Sequence, residues 1–201
     1  MLDSLVVLSH ATGHIISGFA GAIKNVAMGM VARPTKLTQH SSIKPHTIKE
    51  KCTLCKACIA NCPVNAIEVK AGCVVINPDL CIGCGECLCA CKFNAIFINW
   101  DEDADIFAER LVDVAKFILL KFKYKFFINF AFDITKECDC ISSKNDKMVS
   151  RDIGILASSD PLAIDKATMD LIDQQRGTLR KERPQGVFTK MFSYAQEKGL
   201  G

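Results

Sequence analysis

The sequence predicts an α/β (α+β) protein in which a partial open α/β sheet domain carries an inserted, cysteine-rich domain. Short apolar runs alternate with helical patterns towards both ends of the chain, and eight of the twelve cysteines fall on one repeated spacing pattern in the middle. With 201 residues the chain can form two compact units. We expect the α/β domain at 1–45 and 101–177, the inserted domain at 46–100, and a charged C-terminal tail at 178–201.

The inserted domain is predicted from an internal cysteine repeat. Cys52 to Cys62 and Cys81 to Cys91 each follow the pattern C-x2-C-x2-C-x3-C, and the segment from Pro63 to Leu80 separates the two runs. When Cys52 is aligned with Cys81, the same alignment places Asn65-Ala66-Ile67 on Asn94-Ala95-Ile96. The sequence therefore predicts two copies of one local structure.

This spacing is typical of a bacterial-type 2[4Fe-4S] ferredoxin domain. Three cysteines at intervals of two residues wrap one cubane, while the fourth points away and ligates the other cluster. A zinc site, the alternative, prefers two separated cysteine pairs. The predicted ligands are Cys52, Cys55, Cys58 and Cys91 for cluster I, and Cys81, Cys84, Cys87 and Cys62 for cluster II.

Within the same domain, two further cysteines lie outside the ligand pattern. We expect Cys73 and Cys89 to be small buried hydrophobic residues. Ala71-Gly72 has the character of a two-residue turn joining two short strands. The preceding segment, Arg33 to Lys49, contains two prolines and little periodicity and is expected to be a linker.

The remaining elements are expected in the outer domain. Strands are predicted near Ser4–Leu8, Phe126–Phe132 and Ile153–Leu156, and we expect all three to be parallel. The expected helices are a small-residue helix at Gly18–Met30, one after Trp100 that is capped by Asp101-Glu102-Asp103, one capped by Asp160-Pro161, and a short one at Val187–Lys198. The apolar face of the second helix is predicted at Ile106, Phe107, Leu111, Val114, Phe117 and Ile118; the third is expected to bury Ile164, Ala167 and Leu171.

Composition narrows the functional classes. The formal net charge of +3 counts the cysteines as neutral, so it gives no reason to expect a nucleic-acid partner. No apolar run approaches the roughly 20 residues of a membrane span. The first residues lack the positive segment of an export signal, and cluster thiols must stay reduced, so a cytoplasmic location is expected.

Three stretches resemble a known family. They are the run from Ser9 to Gly29, the C-D-C at Cys138 to Cys140, and the run from Asp152 to Ala167. Together they resemble the family catalogued as domain of unknown function 362, iron–sulfur proteins with a ferredoxin unit inserted into an α/β domain. The resemblance spans about residues 1 to 176 and concerns the C-terminal portion of the family's usual length. It implies architecture more than activity.

A second candidate site follows from strand ends. His10 and His14 come after the first predicted strand, and Cys138 and Cys140 come after the second, where ligands bind in open α/β sheets. Either these side chains hold a metal or substrate, or the histidines hydrogen-bond to loop carbonyls and the cysteines pack within the loop.

The leading hypothesis is that the protein carries electrons between redox proteins, because four-cysteine cubanes leave no open iron site. The alternative is a ferredoxin-coupled oxidoreductase with its site at the two histidines and Cys138 and Cys140.

Three strands leave a sheet incomplete, so a homodimer or an N-terminal companion chain is expected. Because lysines flank cluster I and carboxylates flank cluster II, cluster I is expected to have the higher potential.

Overall fold

The computed structural model describes residues 3–14, 16–40, 44–97, 104–138, 147–175, 179–182 and 188–201. The chain divides into two compact units, one formed by Met1–Val31 with Asp103–Gly201 and the other by Ala32–Glu102. The second unit is thus inserted into the first along the chain. The architecture is a mixture of α and β structure, in agreement with the predicted class.

The elements follow one another in this order: β1 Ser4–His10, β2 Thr12–His14, β3 Gly18–Ala20, α1 Ala22–Gly29, α2 Arg33–His40, β4 His46–Thr47, α3 Ala57–Ala60, β5 Ile67–Lys70, β6 Cys73–Ile76, α4 Glu86–Ala90, β7 Ile96–Phe97, α5 Ala104–Leu119, β8 Tyr124–Ala131, β9 Gly154–Ser158, α6 Pro161–Asp173, α7 Leu179–Glu182 and α8 Phe188–Glu197.

The outer unit is built on a three-stranded sheet in the order β1-β8-β9. Strands β1 and β8 are parallel, with Val7 opposite Phe127, whereas β9 is antiparallel to β8, with Leu156 opposite Asn129. The expectation of three parallel strands was therefore wrong for β9. A parallel neighbour needs a crossover helix, and the described residues between β8 and β9 contain none.

One face of this sheet carries the hydrophobic core. Helix α1 packs on β1 and α5, and α5 packs on α8. The buried stripe of α5 runs through Ala108, Leu111 and Ala115, while Phe117, predicted to face inward, is 64% exposed. Phe117 follows Ala115 by two residues, which is about 200° around the helix, so it faces away from this stripe.

Helix α6 contributes an unexpected buried carboxylate. Its predicted cap is confirmed, since Asp160 accepts a hydrogen bond from Ala163 N at 2.8 Å. Ala167 and Leu171 are exposed, however, and Asp165 is fully buried in their place. The helix is therefore rotated about its axis relative to the predicted apolar face.

Asp165 caps α1 from a distance. Its two carboxylate oxygens accept from Ala22 N at 2.6 Å and Ile23 N at 2.9 Å, and Asn129 donates to it at 2.9 Å. Burial raises the pKa of Asp165 to about 6, although these hydrogen bonds act in the opposite direction. Because residue 21 is a glycine with no side chain to cap α1, Asp165 supplies the anion that a helix N-terminus favours.

The other face of the sheet is apolar and exposed. Val6, Leu8, Phe126 and Ile155 are between 44% and 61% exposed, and strand pairing places them on the same face. Among the described residues, β1 and β9 each pair only with β8, so both outer edges of the sheet lack a neighbour. An apolar face of this kind is typical of a surface that another polypeptide covers.

The described part of the C-terminal segment contains more helix than the prediction of a tail implied. The expected last helix is confirmed as α8, but a further helix, α7, lies within the predicted tail, and its Leu179 is fully buried. The acidic cap predicted at 101–103 lies outside the described residues. None of the helices in the described ranges is long and apolar enough to cross a membrane.

In the inserted unit, β5 and β6 form the predicted hairpin. Lys70 pairs with Cys73, and the turn residues Ala71 and Gly72 both have positive φ, at 49° and 74°, as a two-residue turn of this hand requires. Strand β4 pairs antiparallel with β7. The predicted linker from Arg33 was wrong at its start, where α2 forms; Pro34 lies in the first helical turn, where a missing N–H is tolerated.

Candidate functional site

The two cysteine runs share one backbone conformation. Each half of the repeat contains left-handed residues at matching places, and the members of every pair are equivalent in the sequence repeat. The pairs are Leu54 and Gly83 (φ 56° and 69°), Lys56 and Gly85 (59° and 71°), and Asn65 and Asn94 (both 50°).

A short helix follows each left-handed turn. Helix α3 carries Cys58 and helix α4 carries Cys87, and both side chains are 6% exposed. The last cysteine of each run comes just after its helix. Cys62 Sγ accepts a hydrogen bond from Ala66 N at 3.2 Å, and Cys91 Sγ accepts the equivalent bond from Ala95 N at 3.3 Å. The repeat therefore extends to the contacts of the sulfur atoms.

Cysteines from both runs line one cavity. Its walls include Cys62 of the first run and Cys81, Cys84 and Cys87 of the second, with Ile67, Ile76 and Ile82 among the apolar residues around them. Four thiols in an apolar cavity fit a [4Fe-4S] cubane. Among the described residues, no three His, Cys, Asp or Glu side chains lie close enough to hold a single metal ion. A cubane offers four iron corners and accepts ligands that are farther apart.

The cysteines predicted for cluster I have a more open environment. Cys58 belongs to the apolar core of the unit, and Cys52 and Cys91 pack half-buried against it. Cys55 is exposed. This set combines three thiols of the first run with one of the second, as the crossed spacing requires.

The pKa values of these thiols vary with burial and hydrogen bonding. Burial raises the pKa of Cys87 to about 12, and it also raises that of Cys58. Hydrogen bonds from the backbone of Val74 and Leu54 lower the pKa of Cys52, and the Cys73 thiol also hydrogen-bonds to it. Cys52 is thus the best stabilised anion of the three.

Burial was predicted for both cysteines outside the ligand pattern, and this prediction is right for one and wrong for the other. Cys73 is buried at 6% exposure, as expected. Cys89 is exposed, because it lies on the outward face of α4 while Cys87 faces the core.

Three residues that the sequence analysis did not identify cover the second run. A Cβ added to Gly85 would lie 2.5 Å from Leu37 Cδ1, so α2 packs directly on this turn. Arg33 forms an ion pair with Glu86 at 2.9 Å, and Lys44 donates to Cys81 O at 2.6 Å. Proline in the first turn of α2 was the signal that this segment is structured.

The histidines of the second candidate site contact backbone groups. His10 Nε2 lies 2.8 Å from Phe132 O, and His14 Nδ1 accepts from Ile16 N and Ser17 N at 3.2 and 3.1 Å. Lys24 Nζ approaches the buried Cys138 Sγ at 3.9 Å. Cys140 lies outside the described residues, so a joint site of these groups stays a hypothesis.

Relatives of this chain carry iron–sulfur names. It is 43% identical over 79 residues to an uncharacterized ferredoxin of Methanocaldococcus jannaschii, a match that covers 32% of this chain and 48% of the relative. A ferredoxin of Mycobacterium tuberculosis is 44% identical over 48 residues, 24% of this chain and 40% of the relative. A putative dimethyl sulfoxide reductase iron-sulfur subunit of Halobacterium salinarum is 48% identical over 46 residues, 22% and 18% of the two chains.

The chain spans about half or less of the length of these curated relatives. No solved structure matches it. A family model covers most of its length, from residue 1 to residue 170. The chain belongs to the family described as Domain of unknown function (DUF362).

Proposed function

We propose that this protein carries electrons through two [4Fe-4S] clusters held in the inserted unit, which we infer to contain a ferredoxin-type domain at 46–100. Cluster I would be held by Cys52, Cys55, Cys58 and Cys91, and cluster II by Cys81, Cys84, Cys87 and Cys62.

The observation that carries this proposal is the cavity lined by Cys62 together with Cys81, Cys84 and Cys87. Sequence spacing alone assigns the fourth ligand of each cluster to the opposite run, and the same four residues meet at this cavity. The relatives named ferredoxin and iron-sulfur subunit support the same class of function.

The protein's own residues would hold and insulate the clusters. When bound, a cubane supplies a one-electron couple. The left-handed turns would bring the first three thiols of each run around one cluster, and amides such as Ala66 N and Ala95 N donate to the cysteine sulfurs. Such hydrogen bonds stabilise negative charge on sulfur and so favour the reduced state.

The first test is anaerobic reconstitution followed by metal analysis. We expect about eight irons and eight sulfides per chain. Cys62→Ser should damage cluster II, and the equivalent Cys91→Ser should damage cluster I. Electron paramagnetic resonance of the two variants distinguishes the clusters, and loss of cluster I in Cys62→Ser would contradict the crossed assignment.

We also propose that the outer unit joins a polypeptide partner, in addition to the redox proteins that exchange electrons with the clusters. The exposed apolar sheet face around Val6 and Phe126 supports this. A second copy of the chain and a separate companion chain are the two candidates. Sedimentation of the reconstituted protein at micromolar concentration tests the first, since Val6→Lys should shift a dimer to monomer. A wild type that is monomeric and folds cooperatively would contradict both.

A further inference from the structure

The two cysteine runs differ in how far their turns are exposed. In the first run, the four consecutive residues from Thr53 to Lys56 are all exposed, including Cys55. In the second run, the matching residues Gly83 and Gly85 are buried and Cys84 is half-buried. The first turn is thus the one that a protein partner can approach closely.

Helix α2 and the nearby Lys44 account for this difference. Leu37 lies over Gly85, and Arg33 is paired with Glu86. Lys44 is bound to the carbonyl of Cys81. At the equivalent position in the first run, the side chain of Lys56 is exposed. In the second turn, Ile82 is 49% exposed, and it is the place where a partner protein could approach the second run instead.

Charge also distinguishes the first run. Lys49 and Lys51 lie in the turn that leads into Cys52, Lys56 follows Cys55, and Lys92 follows Cys91. All four lysines are exposed, and Glu50 is the acidic residue among them. These five side chains carry a net charge of +3, from four cations and one anion. A positive rim of this kind speeds encounter with a negative partner.

We propose that electrons pass between this protein and its partner at the Thr53–Lys56 turn, and that the partner is a redox protein with an acidic surface around its own redox group. The inference rests on the proposed electron-carrier function. Electron tunnelling weakens steeply with distance, so the exposed turn beside Cys55 gives the shortest route. The lysine rim selects partners by charge and orients them.

The experiment uses small redox complexes as probes of the approach. Reduced, reconstituted protein is mixed with an anionic iron(III) cyanide complex or with a cationic cobalt(III) ammine complex. Each complex accepts one electron from the protein, and the second-order rate constant of this electron transfer is measured at several salt concentrations. In Lys51→Gln/Lys56→Gln we expect the rate with the anionic complex to fall about 3- to 10-fold at low salt and the difference to shrink at high salt. The rate with the cationic complex should not fall.

Lys121→Gln/Lys123→Gln is the matched control, because it removes two exposed lysines from the outer unit. It should change either rate by less than about twofold. Equal effects of the two double variants would overturn the proposal. So would an unchanged rate in the first.

A second pair of variants compares the two turns directly. Thr53 adjoins Cys52 and Leu80 adjoins Cys81; both are exposed, and neither is among the residues that line the cavity, so Thr53→Glu and Leu80→Glu add the same charge beside each run. The rate with the anionic complex should fall more in Thr53→Glu than in Leu80→Glu, and the reverse order would place the exchange at the second run. Cluster absorbance and paramagnetic signals are recorded for every variant. If the clusters form but the rates do not change when these charges are changed, this inference alone is refuted. If the clusters never form, the proposed function is refuted.

Discussion

The two cysteine turns have the same backbone and opposite surroundings. Lys56 and Gly85 occupy equivalent left-handed positions, with φ of 59° and 71°. Lys56 is exposed to solvent, whereas Gly85 is buried under Leu37 of α2. The ligand spacing sets the shape of each turn, and a segment outside the repeat decides which turn meets solvent.

This difference explains why one turn tolerates a lysine where the other has glycine. A left-handed conformation costs a residue with a Cβ about 1–2 kcal/mol, wherever it occurs. At Lys56 that is the whole cost, because the side chain extends into solvent. At Gly85 a Cβ would also collide with Leu37.

The largest predicted effect is therefore at Gly85. Gly85→Lys adds the left-handed cost to an overpacking cost of roughly 1–3 kcal/mol. We expect cluster II to be lost at least tenfold faster in guanidinium under anaerobic conditions, measured by the decay of visible absorbance. Adding Leu37→Ala should restore part of the lifetime. If it restores none, the contact with α2 is not the reason for glycine at this position.

The reverse substitution, at the equivalent position of the first run, should increase stability. Lys56→Gly removes the left-handed cost without disturbing a packed neighbour, so we expect a gain of up to about 1 kcal/mol, reduced by glycine's greater freedom in the unfolded chain. The same decay assay, read for cluster I, measures it. A clear loss of stability would show that the Lys56 side chain makes a stabilising contact.

A smaller effect is expected on the reduction potentials. The sequence-based prediction that cluster I has the higher potential counted Asp79 and Glu86 near the second run. The structure adds two cations there, Arg33 and Lys44. Lys44→Gln should lower the potential of cluster II by an amount on the order of tens of millivolts at moderate salt, since a cation favours the reduced cluster. A redox titration followed by paramagnetic resonance tests this, and an unchanged potential would show that Lys44 acts only on the loop's shape.

The cysteine turns were predictable because their information is local. The sequence repeat fixes the left-handed positions at Asn65 and Asn94 as well as the sulfur contacts of Cys62 and Cys91. The cover of the second turn was not predictable in the same way. It comes from α2, whose Pro34 suits either a linker or the first turn of a helix, and from a contact between Leu37 and Gly85, which are far apart in the chain.

The outer unit shows the same limit more strongly. The three strands of its sheet and most of its helices follow from apolar runs and caps such as Asp160. The direction of β9 depends on whether a helix crosses over between β8 and β9, and the cap of α1 by Asp165 depends on a partner far away in sequence. A single aspartate on a helix gives no local sign that it will be buried against the backbone of Ala22, 143 residues earlier.

The smallest predicted effect concerns what holds α2 on the second turn. The Arg33–Glu86 pair has side chains that are 49% and 38% exposed, so solvent screens it and its coupling energy should stay below about 1 kcal/mol. Leu37→Ala removes an apolar contact with a buried turn and should cost more than Arg33→Gln. A double-mutant cycle of Arg33→Gln and Glu86→Gln, read from the decay of cluster II in guanidinium, measures the pair. Coupling well above about 1 kcal/mol would mean that charge, rather than the packing of Leu37, keeps this turn covered. Among the described residues, the exposed turn of the first run would then differ from it by the lack of an ion pair as much as by the lack of a covering helix.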